Sequence, residues 1–138
     1  MAGFFYGETM IDSNKAIRDY LVTQTGLTDL VSTRIYNPSL KKGYTLPAIA
    51  YSIRGGDSDE YIPGIIGPSF QFRCYDDDPI DARAVYRALY DALQGIQNIT
   101  VGSYKILSSR EEVQGQDLID PDVPHLYYVL TFFSIMLR

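Results

Sequence analysis

The stretch from His125 to Leu137 reads HLYYVLTFFSIML, and its reading decides the fold. Aromatic and β-branched residues dominate, and both alternations are apolar: Leu126, Tyr128, Leu130, Phe132 and Met136 on one, Tyr127, Val129, Phe133, Ile135 and Leu137 on the other. That pattern predicts a long strand covered on both faces. The uncharged run Leu126–Leu137 is far short of the ~20 residues that a membrane-spanning helix needs.

Two further strands precede it. Ser69–Tyr75 (SFQFRCY) alternates Phe70, Phe72 and Cys74 against Gln71, Arg73 and Tyr75. Leu46–Ile53 (LPAIAYSI) places Ile49, Tyr51 and Ile53 opposite Ala48, Ala50 and Ser52, with Pro47 confined to a strand start or an edge. Between them, Arg54–Pro68 carries Gly55, Gly56, Gly64, Gly67, Pro63 and Pro68, and reads as a long connection or a mobile hairpin tip. Ile99–Val113 is extended and interrupted by Gly102, and Asp117–Pro124 reads as a turn.

Helical spacing of Ile17, Tyr20, Leu21 and Gln24 predicts a helix over 12–25, stopped by Gly26, followed by a short helical turn over 28–32. Arg34-Ile35-Tyr36 is a brief extended piece. Asp78-Pro79-Ile80-Asp81 is a strong helix start: a capping carboxylate, a proline at the first helical position, and an acid facing the positive end of the dipole. That helix runs to about Gln94 with Ala82, Val85, Leu89, Ala92 and Leu93 inward. The expectation is an α+β domain over 1–138, with an antiparallel-rich sheet of about four strands and two main helices on one face. Residues 1–10 read as an N-terminal arm. Two helices cover one side of a sheet, so the other apolar side calls for a second copy or another protein.

Composition narrows function. The 138 residues carry a net charge of -5, which argues against binding through phosphate neutralisation. One cysteine, Cys74, and one histidine, His125, exclude an internal disulfide and a Cys/His zinc scaffold. Twelve tyrosines, six phenylalanines and no tryptophan suit surfaces needing apolar area with a polar tip. The start MAGFFYG lacks the basic and apolar regions of a secretory signal, so the expected location is the cytoplasm where the chain is made.

The candidate chemistry is thin. Asp76, Asp77 and Asp78 could hold magnesium and serve a small metal-dependent hydrolase, but capping the following helix accounts for them. Asp57-Ser58-Asp59-Glu60 lacks the bidentate glutamate of a calcium loop, and no glycine cluster is followed by the lysine of a phosphate cradle. Cys74 alternates with Phe70 and Phe72 and reads as core, while His125 has no nucleophile pattern around it. No enzyme, cofactor or metal is expected.

The order of elements and several short strings resemble the tail completion or tail terminator proteins of long-tailed bacteriophages. The strings are a leading helix over Ala16–Val22, Leu27-Thr28-Asp29-Leu30-Val31, Arg34-Ile35-Tyr36, Leu46-Pro47-Ala48-Ile49-Ala50-Tyr51, Phe70-Gln71-Phe72-Arg73-Cys74-Tyr75, Ala82 with Ala88-Leu89, and a closing strand with Tyr128 and Phe132. The likeness spans roughly residues 14–133. It implies a virion structural protein without enzymatic activity, forming a ring, a hexamer in the usual case, that caps the tail tube and meets the head-side connector. The implied partners are other copies of the chain, the tail-tube protein and the connector, with DNA only passing through the lumen. The implied location is the head-proximal end of the tail, with assembly in the host cytoplasm. Another ring-forming neck protein is the alternative within this class. Expected contact residues in the loop are Arg54, Asp57, Asp59, Glu60, Tyr61, Ile62, Ile65 and Ile66; on the sheet and helix faces they are Arg83, Arg87, Tyr127, Val129 and Phe133, or the opposite alternation of the last strand. Part of the negative charge is expected to line the lumen and repel DNA.

Overall fold

The computed structural model describes residues 10–58, 61–62 and 64–138. The elements run α1 (Ser13–Leu21), α2 (Thr25–Val31), β1 (Ile35–Tyr36), β2 (Ala48–Ser58), β3 (Ile66–Asp76), α3 (Pro79–Leu93), β4 (Gln97–Val101), β5 (Tyr104–Ile119) and β6 (Tyr127–Leu137). The strands form one sheet in the order β1-β2-β3-β6-β5-β4. Only β1 and β2 are parallel; the other neighbours are antiparallel.

The expectation of about four strands and two main helices is therefore corrected to a six-stranded mixed sheet with three helices. Two local events account for the difference. Gly102, at φ 58, makes the tight turn that splits the 99–113 segment into the β4–β5 hairpin, with Val101 opposite Tyr104. The brief piece Ile35–Tyr36 joins the sheet beside Ile49 and Ala50. The helix expected over 12–25 is shorter, and the helical turn expected over 28–32 starts earlier, as α2. Asp12 caps α1 by accepting from the Lys15 N–H, the chain leaves the helix after Leu21, and Gly26 lies inside α2 rather than ending α1.

The glycine-rich segment 54–68 is largely paired: Gly56 lies opposite Pro68, Asp57 opposite Gly67 and Ser58 opposite Ile66, beyond a bulge after Ile53. Glycine is required at position 56, whose φ is +135 and where a Cβ would fall 2.3 Å from the Gly67 carbonyl oxygen. Similarly, β5 continues through Asp117 to Ile119, so the turn expected from Asp117 begins at Asp120, whose carboxylate accepts from the Asp122 and Val123 N–H groups.

The three helices pack on one face. Ile17, Leu21, Leu27, Val31, Val85, Leu89 and Leu93 share a core with Tyr51, Phe70, Phe72, Cys74, Val129, Phe133 and Ile135. Phe72 stacks on Tyr51 at 5.8 Å and meets Phe133 edge-on at 5.8 Å. Burying each such ring is worth about 1.5–3 kcal/mol. The buried tyrosines keep their hydroxyls satisfied: Tyr20 donates to the Ala92 carbonyl at 2.6 Å and Tyr51 to that of Asn14 at 2.7 Å. Burial pushes the Tyr51 pKa up to about 12 and raises that of the Cys74 thiol, keeping it protonated and inert.

The opposite face is covered at one end by the chain itself. Leu40, Tyr44 and Leu46, from the segment between β1 and β2, pack with Ala50, Tyr75, Leu126 and Tyr128 in a second small cluster. Leu130, Phe132 and Ser134 remain half-buried, and Met136 is exposed. Among the described residues, the more exposed part of this face is the half beyond Tyr128.

Candidate functional site

On the open face, Arg54 from β2 donates through Nε to Ser69 Oγ of β3 at 2.9 Å, and Ser69 donates to Glu112 Oε1 of β5 at 2.6 Å. The Arg54 guanidinium covers the ring of Phe132 on β6 at 3.8 Å. One arginine thereby ties β2, β3, β6 and β5 together on the face opposite the three described helices. Beside it, a trough of about 360 Å³ runs between Asp57, Ser58, Arg110, Ser134 and Met136.

The expected loop residues separate into outward and inward groups. Asp57 is exposed, Tyr61 is 84% exposed and Ile62 46%, and these project at the hairpin end of the sheet. Ile65 is half-buried, and Ile66 belongs to the core. Arg54 turns back onto the sheet, as described. Asp59 and Glu60 lie outside the described residues, as do residues 1–9 of the expected arm.

The helix and sheet candidates also divide. Arg83 is strapped to β5, donating to the Gly115 carbonyl at 3.0 Å and to Asp117 at 3.1 Å, above the ring of Tyr86. Arg87 is exposed on α3 and lines a hollow of about 370 Å³ with Tyr90, Asp91 and Gln114. Val129 and Phe133 are 1% and 0% exposed in the core beneath the helices, which removes both from the accessible surface. The alternation that faces outward is Leu130, Phe132, Ser134 and Met136. Hydrophobicity alone did not show which side α3 would cover, because both alternations are apolar.

Tyr127 lines an apolar groove of about 420 Å³ between the first turn of α3 and the paired ends of β5 and β6, with Pro79, Ala82, Leu118, Ile119 and Tyr128. Ile119 is 62% exposed in this groove, and Ile80 nearby is 75% exposed. Sequence reasoning missed both. The available signal was that Ile80 falls off the inward stripe of α3, and that Ile119 stands alone between Leu118 and Asp120 in a polar stretch.

Of the three acidic residues before α3, Asp78 carries the capping role. Asp78 accepts from the Ile80 and Asp81 N–H groups at 2.8 and 3.4 Å. Asp76 is buried and accepts from the Asp77 N–H at 2.7 Å, and burial pushes its carboxyl above the usual range. Carboxylate oxygens of Asp76, Asp77 and Asp81 lie within 4.8 Å of one another. His125, at φ 63, is exposed in the turn before β6.

No protein-family model matches this sequence, and no curated protein matches it. Among solved structures, a chain from a structure described as "Virion of native gene transfer agent (GTA) particle" is similar over 91% of this chain and 97% of that one, with a TM-score of 0.59 at 13% identity. At that identity the likeness is one of fold, and it extends across nearly the whole of both chains.

Proposed function

We propose that this protein is a structural component of a phage or phage-like virion, and that it acts as the tail terminator, a ring that caps the tail tube and joins it to the head-side connector. The observation that carries the reading is the near end-to-end fold likeness to a chain of a virion particle. A surface shaped for contact supports it: an uncovered half-face with Leu130, Phe132 and Met136, and a projecting hairpin with Tyr61 and Ile62.

Copies would associate head to tail in a closed ring, so that one surface of each subunit meets a different surface of the next. The hairpin end of the sheet would meet the tube or connector, through Tyr61, Ile62 and Ile65. Arg87 and Tyr127 would lie at subunit boundaries. Asp57, with Asp59 and Glu60, would face the lumen, where like-charge repulsion keeps DNA moving freely. Assembly would take place in the host cytoplasm, with the finished ring at the head-proximal end of the tail.

Electron microscopy of the purified protein mixed with purified tail tubes tests the reading. A ring of density at one end of each tube is the expected result. Binding to head connectors but never to tubes would favour the alternative of a neck ring, and binding to neither would overturn the proposal.

A further inference from the structure

The open face of the sheet and the first turn of α3 carry opposite charge around apolar centres, and they lie on opposite sides of the sheet. We propose that Ile80 and the aspartates flanking it, on one copy, dock onto the open face around Phe132 of a second copy. The place of this contact in a particle rests on the ring reading above; the contact itself is a property of the chain.

The receiving surface is apolar at its centre and basic at its border. Leu130 and Phe132 are half-buried there, and Val113, opposite Phe132 on β5, is 44% exposed. Three arginines from three strands surround them. Arg73 of β3 is level with Leu130, Arg54 of β2 covers the Phe132 ring, and Arg110 of β5 is level with Ser134, so together they bracket about 13 Å of β6. Arg110 is exposed and forms no ion pair among the described residues, and Arg73 donates to the Pro38 carbonyl. Against these guanidiniums stand Glu112, already bonded to Ser69, and Asp57 at the hairpin end of the trough.

The docking element is the reverse. Ile80 is 75% exposed on the first turn of α3, and Asp77, Asp78 and Asp81 beside it in sequence are exposed. Carboxylate oxygens of Asp77, Asp81 and the buried Asp76 lie within 4.8 Å of one another, and none of the ion pairs among the described residues involves them. An apolar tip in a collar of unneutralised carboxylates matches an apolar patch bordered by guanidiniums. The isoleucine leaves water, while arginine–carboxylate hydrogen bonds around it fix the orientation.

The fold makes this contact one between copies. Helix α3 packs on the side of the sheet that carries Phe72, Val129 and Phe133, whereas Arg54 and Phe132 lie on the other side. The sheet itself therefore separates a subunit's Ile80 from its own Phe132. Such a contact joins two different surfaces and is heterologous, the kind that closes rings.

Cysteine pairing in the full chain tests this, because the natural Cys74 is fully buried. A mixture of the separate I80C and V113C variants should form a disulfide-linked dimer under mild oxidation. I80C mixed with D29C, which places the thiol on exposed α2, should give at least tenfold less. An I80C–V113C signal no greater than that control would overturn the proposal. In the otherwise native chain, D81R and R110D should each weaken self-association at least tenfold by sedimentation. The double variant D81R/R110D, which reverses the charge on both sides of the contact, should associate more tightly than either single variant. A double variant no tighter than the singles, or protection of I80C from alkylation only when a different protein is added, would also overturn it. These outcomes are independent of the tail reading, since absence of the protein from particles would end that reading and leave the cross-link in place.

Discussion

The Arg54 guanidinium lies 3.8 Å from the centre of the Phe132 ring, while its Nε donates to Ser69. Removing this arginine exposes the ring and leaves Glu112 without its cation, which stands 4.0 Å away. Because Arg54 is 43% exposed, the stability lost in R54A should be modest, about 0.5–1 kcal/mol in urea unfolding. If the open face is a contact surface, ring formation on tubes should fall far more than stability does.

Gly56→Ala should do the reverse of an ordinary helix-favouring change. The new methyl would meet Gly67 O at 2.3 Å in a backbone at φ +135, so the substitution should cost more than about 1 kcal/mol. Hydrogen exchange should show lost protection at Ser58 and Ile66, with Phe72 unaffected. Gly26→Ala, in α2 with nothing within 4 Å, should stabilise by roughly 0.5–1 kcal/mol.

Tyr86→Phe removes a hydroxyl that donates to Glu111 at 2.6 Å and accepts from the Gly115 N–H at 3.1 Å. It should cost about 1–2 kcal/mol by chemical denaturation, with spectra of the folded state unchanged. A loss below the error of the measurement would contradict the role given to this contact in pinning α3 to β5.

Asp76 gives a pH-dependent prediction. Burial raises its pKa in the folded state above the ordinary value near 3.8, so the folded chain binds its proton more tightly than the unfolded chain does. Its charge therefore destabilises the fold above the raised pKa, and that penalty disappears as pH falls toward 3.8. Asp76→Asn should raise the urea midpoint at pH 7 and raise it less at pH 4. An equal gain at both values would contradict the sign.

How much of this was legible in the sequence depended on whether the signal was local. Asp78-Pro79 announced α3 and its cap, and Phe70, Phe72 and Cys74 announced the core face of β3, because capping and alternation act between near neighbours. The parallel pairing of Ile35 with Ile49 and the pairing of Gly56 with Pro68 depend on partners distant in sequence or on glycine dihedrals, and the composition of segment 54–68 suited a long connection as well as a hairpin tip. The contact surface was harder still. Val129 and Phe133 were as plausible as Leu130 and Phe132 until α3 was placed, since only its position decides which alternation is buried.

Disrupting the gene and imaging the resulting particles tests the tail-terminator role most directly. The account predicts tails of uncontrolled length and full heads left unjoined, with both defects reversed by supplying the protein. Joined particles with tails of normal length would contradict it.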